Sequence, residues 1–96
     1  MVIGVSIFEL HLPHSRSLKQ KRKVVRGMVD RIHKRFKVSI AETDHHDLHQ
    51  RAEIGLCLIA QNESEAWRLL DSIRSIVDEP GEGMAIGWQP EILEVA

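Results

Sequence analysis

The sequence predicts an α+β domain in the order strand, helix, strand, strand, helix, strand. Three observations lead there. Four stretches are apolar or alternate at a period of two. Two stretches repeat their apolar residues at spacings of three and four. Each of those two opens on a capping-box pattern, a Ser or Asn followed three residues later by Gln or Glu.

The first element is Val2 to Leu12. Its even positions (Val2, Gly4, Ser6, Phe8, Leu10, Leu12) and odd positions (Ile3, Val5, Ile7, then Glu9 and His11) are both largely apolar. That predicts a central strand covered on both faces for most of its length, ended by Pro13. Ser17 with Gln20 then caps a helix whose Leu18, Val25, Val29, Ile32 and Phe36 share one stripe, with Met28 beside it. Lys19, Lys23, Arg26 and Lys34 fall on the opposite face, and Lys21 at the edge of the apolar stripe.

Lys37 to Thr43 and Ala52 to Ala60 alternate and read as the second and third strands, joined by a polar, His-rich hairpin from Asp44 to Gln50. Asn62 with Glu65 caps a second helix that buries Ala66, Leu69, Leu70, Ile73, Ile76 and Val77. Pro80, Gly81 and Gly83 end it. Ile86 to Val95 reads as a last strand, broken or bulged at Pro90, which suits a sheet edge.

Two right-handed crossovers in this order place both helices on one face of a four-stranded antiparallel sheet, the ferredoxin-like βαββαβ sandwich. The whole chain, 1–96, reads as a single domain. If the even residues of the first strand face the helices, Ile3, Val5 and Ile7 lie on the open face. Cys57 and Ile59 join them from the third strand. A patch that apolar predicts a covering subunit or partner.

Composition narrows function by exclusion. One cysteine, Cys57, rules out a disulfide framework and any zinc site built on several thiolates. There is no basic segment followed by an apolar run at the N-terminus and no apolar stretch long enough to span a bilayer, so the expected location is cytoplasmic with no membrane partner. The net charge of −1 hides an asymmetry: residues 1–37 hold ten Lys and Arg against Glu9 and Asp30, a balance of +8. The remainder holds three Arg against twelve acids, or −9. Such a split marks a nucleic-acid surface or one that grips an acidic partner.

Topology gathers the unusual residues. The loop Pro13–Ser17, the start of the first helix, the His-rich hairpin and the Gly81–Gly83 loop all fall at one end of the domain. His14, Arg16, Lys21, Arg22, His45, His46, Asp47, His49 and Arg51 therefore share one pole, the predicted functional site. Across the sheet, Arg51 and Glu53 are expected to pair with Glu9 or Glu42.

Several runs carry a family resemblance: Glu9-Leu10-His11-Leu12-Pro13, Ser17-Leu18-Lys19-Gln20-Lys21-Arg22-Lys23-Val24-Val25, Phe36 to Glu42, and Asp47-Leu48-His49-Gln50-Arg51-Ala52. Together they resemble the YlxP-like family, a bacterial domain of unknown function. The resemblance covers nearly the whole chain, and the Ser-Leu-Lys-x-Lys-Arg run is its most specific part. It implies a ferredoxin-like fold and no established activity, cofactor or catalytic residues. Its genes tend to lie among those for translation initiation and ribosome maturation. The paired histidines at 45 and 46 lie outside its pattern.

Arg16, Lys19, Lys21, Arg22, Lys23 and Arg26 are the expected nucleic-acid or anion-binding residues. A helix N-terminus favours anions. Basic side chains in a first helical turn oppose the helix dipole, so local stability does not account for them. The plainer reading is a solvated helix face paired with the acidic second half. The scarcity of aromatics, two Phe, two Trp and no Tyr, leaves no stacking platform for bases, so an RNA contact would be to backbone and shape. His45, His46 and His49 with Asp44 and Asp47 have ligand chemistry but sit on a hairpin without converging partners, and no metal or other cofactor is expected. Cys57 falls mid-strand, Ser17 is a cap, and Ser15 near His14 lacks an orienting acid, so no catalytic constellation emerges.

The sequence thus points to a non-catalytic binding module for ribosomal RNA or a ribosome-assembly intermediate. The alternative is a protein-interaction module that forms a homo-oligomer through Ile3, Val5 and Ile7.

Overall fold

The computed structural model describes residues 1–95. The strands are β1 (Val2–His11), β2 (Val38–Asp44), β3 (Arg51–Ala60) and β4 (Met84–Glu94), and the helices are α1 (Leu18–His33) and α2 (Glu63–Val77). The sheet order is β2-β3-β1-β4 with every neighbouring pair antiparallel. This is the ferredoxin-like arrangement that the element order implies.

The parity of β1 follows from what packs on it. Val2, Phe8 and Leu10 are buried beneath the helices, while Ile3, Val5 and Ile7 look outward from the other face. Ile54, Leu56 and Leu58 of β3 lie opposite Phe8, Ser6 and Gly4 and extend the buried layer. Ile32 of α1 and Ala66, Leu70 and Ile73 of α2 close it from above, each essentially without exposure. The core is aliphatic except for Phe8, whose ring lies 5.8 Å from that of Trp88. Burying each large apolar side chain of this layer contributes roughly 1.5–3 kcal/mol.

Both helices start where the capping patterns predict. Ser17 takes an extended conformation and its hydroxyl accepts the Gln20 N–H at 3.1 Å; Asn62 does the same for Glu65 at 2.9 Å. The return bond of the first box differs from the usual form. Gln20 Oε1 accepts the Arg16 N–H, one residue before the cap.

Two details depart from the sequence expectation. The irregularity in β4 is not at Pro90. It falls at Gly87 and Trp88, which together sit against Phe8 between the pairs Ile7–Gln89 and Glu9–Ile86. Gly87 has φ +72°, the left-handed conformation that starts this kind of bulge and that glycine adopts at no steric cost. The extra residue resets the alternation, so Ala85 before it and Ile92 after it both serve the core. Pro90 sits in a continuous edge strand opposite Ser6. The second departure is Lys21, which lies in the middle of the buried stripe rather than at its edge. Lys21, Val25, Met28 and Ile32 are the buried residues of α1, at spacings of four, three and four.

Among the described residues, no helix is long and apolar enough to cross a membrane.

Candidate functional site

The predicted pole exists, but its residues divide into an interior anchor, a cluster on the open sheet face, and an exposed basic surface.

The anchor is Lys21, whose relative exposure is 1%. Its stem lies along the apolar stripe and its ammonium emerges beneath the β2–β3 hairpin. Lys21 Nζ donates to Glu42 Oε2 at 2.7 Å, to the His45 carbonyl at 2.8 Å and to the Arg51 carbonyl at 3.2 Å. The His46 carbonyl lies further off, at 3.5 Å, so the three ammonium donors are fully used, and a buried charge is both paired and hydrogen-bonded, the condition under which burial is tolerated. Glu42 reaches Lys21 because the regular alternation of Val38, Ile40 and Glu42 puts it on the helix side of β2, opposite Ile54, before the register shifts between Glu42 and Asp44. His45 holds φ 66°, and its carbonyl also accepts the Leu48 N–H at 3.0 Å, closing the hairpin bend. Lys21, expected among the anion-binding residues, is therefore not part of the exposed basic surface. Its charge is spent inside the protein, and only its neighbours remain available.

Gln50, not singled out in the sequence, ties the hairpin to the loop that precedes α1. Its carbonyl accepts the Leu12 N–H at 2.9 Å, and its side-chain amide donates to the carbonyls of Pro13 and Ser15, both at 3.3 Å.

On the open face, Glu9 is a hub. His11 Nε2 lies 2.7 Å from one carboxylate oxygen, and Arg51 donates to the other through Nε at 3.1 Å and through its terminal amine. His45 Nε2 approaches that second oxygen at 3.3 Å. The His11 hydrogen bond, followed by those from Arg51, holds the Glu9 carboxyl at a pKa of about 2, well below its usual 4.5. Of the expected cross-strand pairs, Arg51 takes Glu9; Glu53 instead accepts the Thr43 hydroxyl at 2.7 Å.

The histidines of the hairpin point apart. His45 turns to Glu9, and His46 Nε2 lies 3.2 Å from the Glu42 carbonyl. Among the described residues, no three His, Cys, Asp or Glu side chains are placed to hold a metal ion. Ser15 is buried and donates its hydroxyl to the Ser17 carbonyl, while Ser17 is the cap. Both hydroxyls are committed to starting α1. Cys57 is exposed on the open face opposite Val5, where the strand parity places it with Ile59.

The third part is the outer face of α1. Arg16, Lys19, Arg22, Lys23 and Arg26 are all exposed. The first turn of the helix carries no acid to offset them. Among the described residues, Lys21 is the only one of the ten Lys and Arg in 1–37 within 4 Å of a carboxylate. The acidic second half of the chain does not neutralise this face. Beside it, Leu12, His14, Ser15, Gln20, Lys23, Val24 and Glu82 line a cleft of about 420 Å³, which brings the loop after α2 to the same pole.

Comparison with known proteins agrees on the family level. Residues 3–89 match the model of a family described as a protein of unknown function, DUF503. A protein of Bacillus subtilis (strain 168), described as uncharacterized protein YlxP, is 27% identical over 77 residues, covering 80% of this chain and 84% of that protein.

Proposed function

The chain belongs to the DUF503 family, and from that premise we propose that it is a non-catalytic binding module for RNA, acting on ribosomal RNA or a ribosome-assembly intermediate through the outer face of α1. One observation carries the reading. Arg16, Lys19, Arg22, Lys23 and Arg26 form a continuous exposed cationic face with no carboxylate partner among the described residues. Positions 19, 22 or 23, and 26 succeed one another at about one helical turn, roughly 5.4 Å. Such a row meets phosphates along a backbone. The neighbouring helix N-terminus adds free N–H groups and the positive end of the dipole.

Four like charges within two turns of α1, with Arg16 in the loop before it, repel one another and oppose the dipole. The fold gains nothing from them, which supports a role toward an external anion. The face carries no aromatic side chain, so it suits backbone and shape recognition without base stacking. The gene neighbourhood implied by the resemblance points the same way.

Co-sedimentation with purified ribosomal subunits at low and moderate salt tests this. Four or five neutralised phosphates give a log–log salt slope of about −4. Arg22→Glu with Arg26→Glu should weaken binding at least about tenfold while leaving the circular dichroism and melting temperature unchanged. Lys21 has no place in this variant, because reversing its charge would break the interior. Absence of binding by the unaltered protein to either subunit overturns the proposal. Undiminished binding by the variant overturns the assignment to α1.

A further inference from the structure

We propose that the open face of the sheet is the seam between two copies of this chain. A solvated antiparallel sheet alternates apolar residues inward with polar ones outward. β1 breaks that rule, since Ile3, Val5 and Ile7 all point away from the core. Ile59 of β3 is 68% exposed opposite Ile3, and Ile86 and Leu93 of β4 extend the apolar band at its two ends. Two carboxylates on the same face have partners within the chain, and a third, Glu91 opposite Val5, stands on the edge strand β4, where it can keep its hydration. Glu9 is held by Arg51 and His11, and Glu53 by the Thr43 hydroxyl. The apolar centre of the face, on β1 and β3, can therefore lose water at little cost, with Glu91 left at the solvated rim.

Its dimensions suit a stable pair. Strands of about ten residues spaced about 4.8 Å apart give a surface of roughly 600 Å² per copy, or about 1,200 Å² for two. That clears the roughly 1,000 Å² expected of a specific interface. The charge distribution selects a second copy in this orientation. The unpaired cations of residues 1–37 lie on α1 and its flanking loops, none of them within a strand. Pairing α1 against α1 would press two exposed cationic faces together. Pairing through the sheets, about 10 Å apart, sends the two basic helices to opposite outer surfaces, beyond the Debye length of about 8–10 Å. The same lack of a free cation makes the open face a poor site for a polyanion.

Sedimentation equilibrium decides the matter, with Val5→Asp at the centre of the band and Ile59→Lys at its most exposed position. Ile59 has so little burial that its replacement leaves the monomer intact, which covers the event that Val5→Asp fails to fold. The expected result is a dimer at micromolar concentration that persists in 1 M salt. In folded Ile59→Lys, and in Val5→Asp where it folds, the dissociation constant should rise by at least about a hundredfold, since two charges per dimer would be buried without partners. Cys57, in the same seam, should become correspondingly more reactive toward an alkylating reagent. A monomer at those concentrations overturns the proposal, as does a dimer unaffected by Ile59→Lys.

Discussion

Replacing Lys21 by Met keeps the length and most of the apolar stem but removes the ammonium. The loss leaves the Glu42 carboxylate without its cation and the carbonyls of His45 and Arg51 without a shared donor. Breaking a buried ion pair from one side costs about 3–5 kcal/mol, because the partner stays behind uncompensated. Glu42 keeps 16% of its side chain exposed and can recover some hydration, which favours the lower end, about 3 kcal/mol. With a urea m-value near 1 kcal/mol/M for a domain this small, the unfolding midpoint should fall by about 3 M. The double variant Lys21→Met with Glu42→Leu removes both charges and should recover most of the loss. A lysine on a solvated face behaves differently: its replacement changes stability by less than about 0.5 kcal/mol. A single variant within that margin would refute the anchor. Loss of RNA binding by a Lys21→Met protein that keeps wild-type stability would return Lys21 to the basic surface.

Two further outcomes test other parts of the structure. Glu9 has its pKa depressed from 4.5 to about 2 by His11 and Arg51. Its contribution to stability is therefore fully present above pH 4.5 and lost as the pH falls toward 2. Urea midpoints of the unaltered protein and of Glu9→Gln should differ at pH 5 and converge by pH 2; a constant offset would mean the carboxylate is not held as described. Gly83→Ala would place a methyl group 2.8 Å from Leu10 Cδ1 and 3.0 Å from its Cγ, against a side chain that is itself fully buried. Thermal unfolding should report a loss of about 1–3 kcal/mol, and an unchanged melting temperature would show that Leu10 can move.

The capping patterns and the topology made both helix starts and the gathering of the loops at one pole legible in the sequence. Those features depend on local spacing and topology. The parity of β1, apolar on both faces, is instead decided by the packing of the helices on Val2, Phe8 and Leu10. Lys21 was harder for a physical reason. Its position on the stripe was visible in the 21, 25, 28, 32 spacing. That a lysine there would be buried depends on acceptors supplied by a hairpin more than twenty residues away. The β4 bulge was misplaced because proline is the louder signal, whereas Gly87 reveals its left-handed role only through the pairing of its neighbours. Glu9 stood out as an acid in an apolar strand, yet its hub role required two histidines and an arginine from three segments to meet.

The Lys21 anchor also bears on the order in which the molecule assembles. Its acceptors at positions 42, 45 and 51 come 21 to 30 residues later in the chain. The hairpin can pair its strands without the helix, but its bend gains a fixed shape only after α1 has docked and the ammonium has shed its water. If that dehydration follows the rate-limiting barrier, Lys21→Met should speed unfolding and leave the folding rate nearly unchanged, which stopped-flow kinetics would read. The anchor then acts as a latch rather than a nucleus: it hardly changes how fast the chain folds, and chiefly governs how long it stays closed.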